Sequence, residues 1–364
     1  MTSASSRTQT EGAEVHRRSV TVAVSDPRTD ARWEGLSRTR LGSLFTSPPW
    51  IRAVCATYGF RPEARIACDA VGEPVAALAF VDLDDIRGTR RSSLPFSDRA
   101  DPLIVDPAAW PDLARNVAAD PIPWSLRCVD GTVPTSEPGG LIVVGRAALH
   151  RTSVDSGLDE IKGRLSPSAR RNLRAGKANG VVVRASTDMD AVREFHAMHV
   201  DLRRRKYRLL AQPVSFFERL WEEFDAQASI VVLTAVVAGV PAAGALFLVW
   251  EDTLYYKFGA SFSDRLWARP NDALFWGAIE WASERGLRNV DWGLSDLDQP
   301  GLIGYKRKWA SVEDRIIRLA STEPIRANQD VDRILSGVTT LLTCDGVPIE
   351  VTERAGSLLY RYFS

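Results

Sequence analysis

One strand pattern is written twice in this chain, and that duplication limits the fold more than any other feature. The segments "ARIACDAVGEPVAALAFVDLDDIRGTRRSSLPFSDR" and "SIVVLTAVVAGVPAAGALFLVWEDTLYYKFGASFSDR" each hold an apolar run followed by G-x-P, Gly72 to Pro74 or Gly239 to Pro241. Each continues through a small-residue run ending at Phe80 or Phe247, then an acidic turn, then a third run ending at FSDR. A shared tetrapeptide has little weight alone. The spacing has more: Gly72 to Phe96 is 24 positions and Gly239 to Phe262 is 23. Glycine reaches the positive φ that a tight turn requires, and proline is tolerated where a strand begins. Each unit therefore reads as an antiparallel three-stranded meander with the third strand ending at FSDR.

Downstream, both copies continue with a helical pattern and a strand. The first has Pro107 to Ala119 and then "WSLRCV"; the second has "PNDALFWGAIEWASERG" and then "NVDWGL". Pro270 opens the second helix, Asn271 and Asp272 stand at capping positions, and Gly286 ends it. The second unit is preceded by a helix after Ser166-Pro167, a strand "VVVRAS", a helix "DMDAVREFHAMHVDLRRRKY", and a helix "PVSFFERLWEEFDAQ" with Ser215 and Glu218 at capping-box spacing. The expected architecture is α/β (α+β): two tandem related domains, each a mixed, mostly antiparallel sheet flanked by helices. The expected boundaries are a disordered leader at 1–20, domains at 21–150 and 151–320, and an extension at 321–364 with a weak helix and a weak strand pattern.

Composition narrows the function classes. Among 364 residues, 45% are hydrophobic and 25% charged, as in ordinary globular proteins. The run Ile230 to Trp250 is long enough to suggest a membrane span, but Gly239, Pro241 and Gly244 interrupt it and favour two strands and a turn. The first residues lack an apolar signal core, so a cytoplasmic location is expected. Cys55, Cys68, Cys128 and Cys344 lack paired metal-site spacing and are expected to be reduced and buried. His196 and His199 sit three apart without further ligand types clustered nearby, so no metal is expected there. Net charge is zero, yet residues 161–208 hold thirteen Lys/Arg against four Asp/Glu, a local +9. Such a segment suits a local anionic ligand, or else a solvated face balanced by acidic neighbours.

The motifs "LSPSARRNLRAGKANGVVVR", "GVPAAGALF", "ARPNDALFWGAIEWASERGLRNVDWGLSD" and "GLIGYKRKWA" together resemble the Fem-type (FemAB-like) acyltransferases of the GNAT superfamily, including the CelD/BcsL-like branch. The first half, with "FTSPPWIRAVCATYG" and "SLPFSDRADPL", looks like the N-terminal domain of that branch, and the resemblance covers roughly Arg40 to Leu319. It implies tandem GNAT domains and transfer of an acyl group to an amine. In Fem enzymes the donor is aminoacyl-tRNA and the acceptor a peptidoglycan-precursor side chain; relatives use acyl-CoA. No tightly bound cofactor, membrane span or DNA partner is implied. The partners it implies are a small-molecule or peptide amine and tRNA.

Amide formation needs a neutral amine, a donor to the tetrahedral oxyanion, and a cradle for a phosphate-bearing donor. The resemblance puts Lys306 at the oxyanion or donor phosphate, with Arg307 beside it, or else both form a solvated basic turn. Asp98 and Asp291 are candidates for the amine proton, with a structural pairing role as the alternative for Asp291. Arg171, Asn172 and Lys177 match the basic helix of the family and suit phosphate, or else make an exposed basic face. Tyr256, Asn271 and Ser295 complete the expected substrate-binding set. Acetyl-CoA-dependent members carry a glycine-rich loop before the central helix, but here that region reads "FSDRLWARPND". The missing glycines tilt the donor toward aminoacyl-tRNA, although the helical arm of tRNA-reading Fem enzymes is also missing. Acyl-CoA is the alternative, and a catalytically silent binding protein is the rival class.

Overall fold

A computed structural model describes residues 20–225, 228–323 and 326–363, so all but the last residue of the expected leader lies outside the described residues. The first part runs β1 (Thr21–Ser25), α1 (Ala31–Ser37), α2 (Pro48–Tyr58), β2 (Pro62–Cys68), β3 (Pro74–Asp85), β4 (Gly88–Ser92), β5 (Leu103–Ile104), α3 (Trp110–Ala118), β6 (Trp124–Val129), α4 (Val133–Ser136) and β7 (Ile142–Ser153). The second runs α5 (Leu158–Arg164), α6 (Pro167–Ala178), β8 (Val182–Ser186), α7 (Met189–Leu202), α8 (Val214–Phe224), β9 (Ile230–Val237), β10 (Val240–Trp250), β11 (Thr253–Ser261), α9 (Pro270–Glu284), β12 (Asn289–Asp296), α10 (Pro300–Lys306) and β13 (Val312–Ala320). Two further helices close the chain, α11 (Arg326–Leu342) and α12 (Ile349–Leu359).

The duplicated pattern is real in three dimensions. β2-β3-β4 and β9-β10-β11 are antiparallel meanders. Gly72 and Gly239 take φ of 90° and 82°, and Pro74 and Pro241 lie at the start of the strand that follows. After α3 or α9, the next strand returns parallel to the third meander strand. The chain thus forms two tandem units of one design, each a mostly antiparallel sheet with flanking helices. The two sheets are continuous, in the order β1-β2-β3-β4-β6-β13-β7-β12-β11-β10-β9-β8. The joint is an exchange: β13, from the end of the second unit, pairs with β6, while β7, from the end of the first, pairs with β12. Neither β7 nor β13 belongs to the duplicated pattern, which is why that pattern did not reveal them.

Alternating residues divide the core between the two faces of the sheet. Ile66, Val81, Leu246 and Leu248 face a core shared by both units, where Trp50 of α2 meets Phe216 of α8 at 5.9 Å between ring centroids. Leu78 and Phe80 face α3, and Ala245 and Phe247 face α9. The shared core joins the two units along α2 and α8, so the loops between them are set by packed apolar side chains.

Several local expectations are corrected. The third strand of the first copy ends at Ser92, not at FSDR: Leu94 and Phe96 take φ of 46° and 61°, which lifts the chain off the ladder into a loop. Ser215 does not cap α8, because the helix begins at Val214 with Pro213 as its cap and Ser215 lies inside the first turn. Asn271 and Asp272 do not cap α9 either; Arg269 does, at φ 65°, and Pro270 is already helical. The extension holds two helices and no strand among the described residues. It folds back on both units, with Tyr360 stacked against Tyr58 at 6.2 Å and Arg208 paired to Asp345. Cys55, Cys68 and Cys128 are buried, but Cys344 is exposed. His196 and His199 are both buried, each bonding Gln212.

Candidate active site

β11 and β12 pair only from Thr253–Asn289 to Tyr255–Asp291, then splay apart. Two bulges shape that gap. On β11, Leu246 faces Phe258 and Phe247 faces Tyr256, leaving Lys257 as the extra residue. On β12, the register against β7 slips between Asp291 and Leu294. Gly293 lies in that slip at φ 73°. A bulge re-aims side chains that strict alternation would send elsewhere.

Asp98, from the loop of the first unit, enters this gap. Its Oδ1 lies 2.8 Å from the Lys257 Nζ, and its Oδ2 accepts the Leu294 N–H at 3.1 Å. A side chain on Gly293 would place its Cβ 2.7 Å from that Oδ2, so the close approach requires glycine. Lys257 also donates to the Phe96 carbonyl and lies 4.7 and 4.9 Å from the ring centroids of Phe45 and Trp50. Burial alone would raise the Asp98 carboxyl, but Lys257, the Leu294 N–H and Lys306 together hold it below the usual carboxylate range.

Lys306 arrives from the other side. Ile303 and Lys306 share the buried face of α10, three residues apart. The Lys306 Nζ donates to the Gly293 carbonyl at 2.9 Å and the Leu294 carbonyl at 3.0 Å. An ammonium has three N–H donors, so a third is left for a substrate atom. Burial pushes its pKa down to about 8, against the opposing pull of Asp98 and Asp291. Asp291 is 2% exposed and accepts the Gly293 N–H at 2.8 Å. Its carboxyl is raised, because burial outweighs the Arg99 guanidinium and that N–H. Ser295 is buried on the same strand, and its Oγ has no hydrogen-bond partner among the described residues.

The sequence-derived set thus divides. Lys306, Asp98, Asp291 and Ser295 converge on the bulge of β12. Tyr256 lies next to them on the opposite face of β11, packed against Phe275 and Trp292 at 5.5 and 6.3 Å. Arg307 does not join them: it is exposed and bound to Glu313 at 2.6 Å, because it follows the last turn of α10 and points outward. Asn172 ties α6 to α9 by donating to Asp272 at 3.2 Å, and Asn271 stands in the first turn of α9. Arg171 and Lys177 are exposed on α6 with Arg174, and among the described residues none of the three has an ion pair. Elsewhere in the basic segment Arg193, Arg205 and Arg208 are ion-paired, to Glu218, Asp201 and Asp345.

Two residues of the site escaped the sequence reading, Lys257 and Gly293. A lone lysine in the apolar run "TLYYKFGAS" was the available signal for the first. The second resembled any strand glycine. In the loop before α9, residues Ser263–Ala268 form a 3-10 helix. The N–H groups of Arg265 and Arg269 there are bonded to the carbonyls of Phe262 and Leu266.

Comparison with known proteins bears on the fold. Residues 165–307 match the acetyltransferase (GNAT) domain family. No curated protein matches the chain. Among solved structures, FemX aligns at 14% identity over 85% of this chain and 98% of its own, with a TM-score of 0.65. The C-terminal domain of a putative lysylphosphatidylglycerol synthetase from Agrobacterium fabrum aligns at 14% identity over 78% and 91%, with a TM-score of 0.53. A tandem GNAT protein from the clavulanic acid biosynthesis pathway aligns at 12% identity over 83% and 98%, with a TM-score of 0.50. The second unit is a GNAT acyltransferase domain, and the chain is an acyltransferase with a Fem-like tandem fold.

Proposed function

We propose that this protein is an N-acyltransferase that forms an amide bond on the amine of a small molecule or peptide in the cytoplasm, with aminoacyl-tRNA as donor. The observation that carries the amide chemistry is the buried Lys306 with one N–H unspent beside two carboxylates. In the reaction, the neutral amine attacks the donor carbonyl carbon; a C–N bond forms and the carbonyl π pair moves onto oxygen. Lys306 in its ammonium form donates its third N–H to that oxyanion. Collapse breaks the bond to the leaving ribose oxygen, which takes up one proton as the nitrogen loses one. Asp98 is tied to Lys257 and held low, which suits a fixed negative charge that orients the amine. Asp291 is held high by burial, which suits proton acceptance.

The donor assignment is supported by the loop before α9. It has no glycine, and two of its N–H groups are spent on its own carbonyls, a poor cradle for a CoA pyrophosphate. The exposed Arg171, Arg174 and Lys177 offer a phosphate-binding face instead. The test supplies charged tRNAs and acyl-CoAs separately with an amine library, and looks for new amide mass. RNase should abolish product, and each phosphate contact should steepen the salt dependence by about 0.9 in the log–log slope for a duplex region. Product from acyl-CoA alone would sink the tRNA assignment; product from neither would sink the amide-forming reading.

A further inference from the structure

A cavity of about 510 Å³ opens where β4 and β6 of the first unit part. These strands pair only at Arg91–Trp124 and Ser92–Ser125. Its wall carries Arg90, Arg127 and Arg318, and Asp98 of the proposed site also lines it. Arg127 and Arg318 stand directly opposite each other on the antiparallel β6–β13 ladder. Like charges in that arrangement repel, and each direct cross-strand pair of this kind is destabilising. Arg90 is engaged by Asp85 at 2.7 Å, and among the described residues the Arg127 guanidinium donates only to the Ser97 carbonyl, at 3.2 Å. No hydrogen-bond or ion-pair partner stands against the Arg318 guanidinium among the described residues. Both the Arg127 and Arg318 side chains are open to the cavity, and the Arg318 pKa is lowered, first by loss of hydration against the cavity wall and then by Arg127 and Arg90. Of the acidic groups at the mouth, Asp332 is held by Arg87 at 2.6 Å, and no ion pair joins Glu323 to either arginine among the described residues.

The geometry points to an anion-binding subsite in which Arg127 and Arg318 hold a carboxylate or phosphate on the amine acceptor, whose amine lies toward Asp98. Resting on the acyl-transfer reading, this names the acceptor class: an amine that carries an anionic group elsewhere in the molecule. Two guanidinia offer a planar fork that either anion satisfies. The sheet tolerates their repulsion because the site is built to be filled, a stability cost of the kind that binding sites retain.

The test needs no donor. Thermal unfolding of the full chain is followed while inorganic phosphate or, in a second arm, succinate replaces chloride at constant ionic strength. The expected result is a rise in Tm in at least one arm; a rise only with phosphate assigns a phosphoryl group, and a rise only with succinate a carboxylate. Arg127→Gln and Arg318→Gln should each weaken the apparent affinity at least about tenfold, as loss of a charge-assisted contact does. Without anion, either variant should unfold no lower than wild type, since the repulsion is relieved. Arg318→Lys, which keeps the charge, should retain part of the response. Flat titrations in both arms, or responses unchanged in the Gln variants, overturn the proposal. A failed donor assay alongside a positive titration sinks the acyl-transfer reading alone.

Discussion

The Nζ of Lys257 lies 2.8 Å from the Oδ1 of Asp98, a contact across 159 residues that fastens a loop of the first unit into the split sheet of the second. The pair is largely enclosed, with side-chain exposures of 9% and 20%. Breaking such a pair strands a charge, whereas replacing both partners does not. Asp98→Asn should therefore cost about 1–3 kcal/mol of stability, discounted for its partial exposure. The double variant Asp98→Asn, Lys257→Met should recover much of that loss. Denaturant titration of the single and double variants checks this; additive losses would deny the coupling.

Turnover should depend on the Lys306 ammonium. Lys306→Met is expected to lower kcat by about 10²- to 10³-fold, the range for removing one oxyanion donor. Donor affinity should change little. A matching loss in donor affinity with kcat preserved would place Lys306 in binding instead.

The pH dependence follows from the value of about 8 for Lys306. If its ammonium is the working form, kcat should fall as pH rises through about 8, and Lys306→Arg should remove that limb because a guanidinium does not titrate there. A kcat that rises through the same range would show the neutral amine acting as base.

Stability should show the opposite trend with pH. The folded value of Lys306 lies below its ordinary 10.5, so the unfolded chain binds the proton more tightly. The destabilisation is complete below pH 8 and fades as pH rises from there toward 10.5. Any gain in Tm from Lys306→Met should accordingly be largest below pH 8 and shrink above it. A constant difference across that window would mean that Lys306 does not titrate there.

Gly293→Ala should damage both fold and activity. The backbone is at φ 73°, and the new Cβ would meet the Asp98 carboxylate at 2.7 Å. A stability loss of about 1–3 kcal/mol is expected from the backbone alone. Gly301→Ala, with open space around its Cβ position, is the comparison and should be close to neutral.

Much of this molecule could be read locally. Turn glycines and prolines, alternating apolar residues and helix periodicity depend on neighbours within a few positions, so both meanders, α3 and α9 and their following strands were legible. Lys306 and Asp98 were legible through motif resemblance, and Lys306 also through its apolar neighbours. The rest depended on contacts between distant segments. The β7–β13 exchange joins residues 142–153 to 312–320, and nothing in either stretch specifies its partner. The bulge at Lys257 is a slip in register, visible only once β10 lies beside β11. Arg307 and Lys306 are adjacent in sequence, yet one is bound to Glu313 at the surface and the other is buried against Gly293, because helix rotation and packing set their directions. Residue type and spacing determine which local elements form; only the packed sheet decides which charges meet, because an electrostatic site is defined by distances through space and by the water that packing removes.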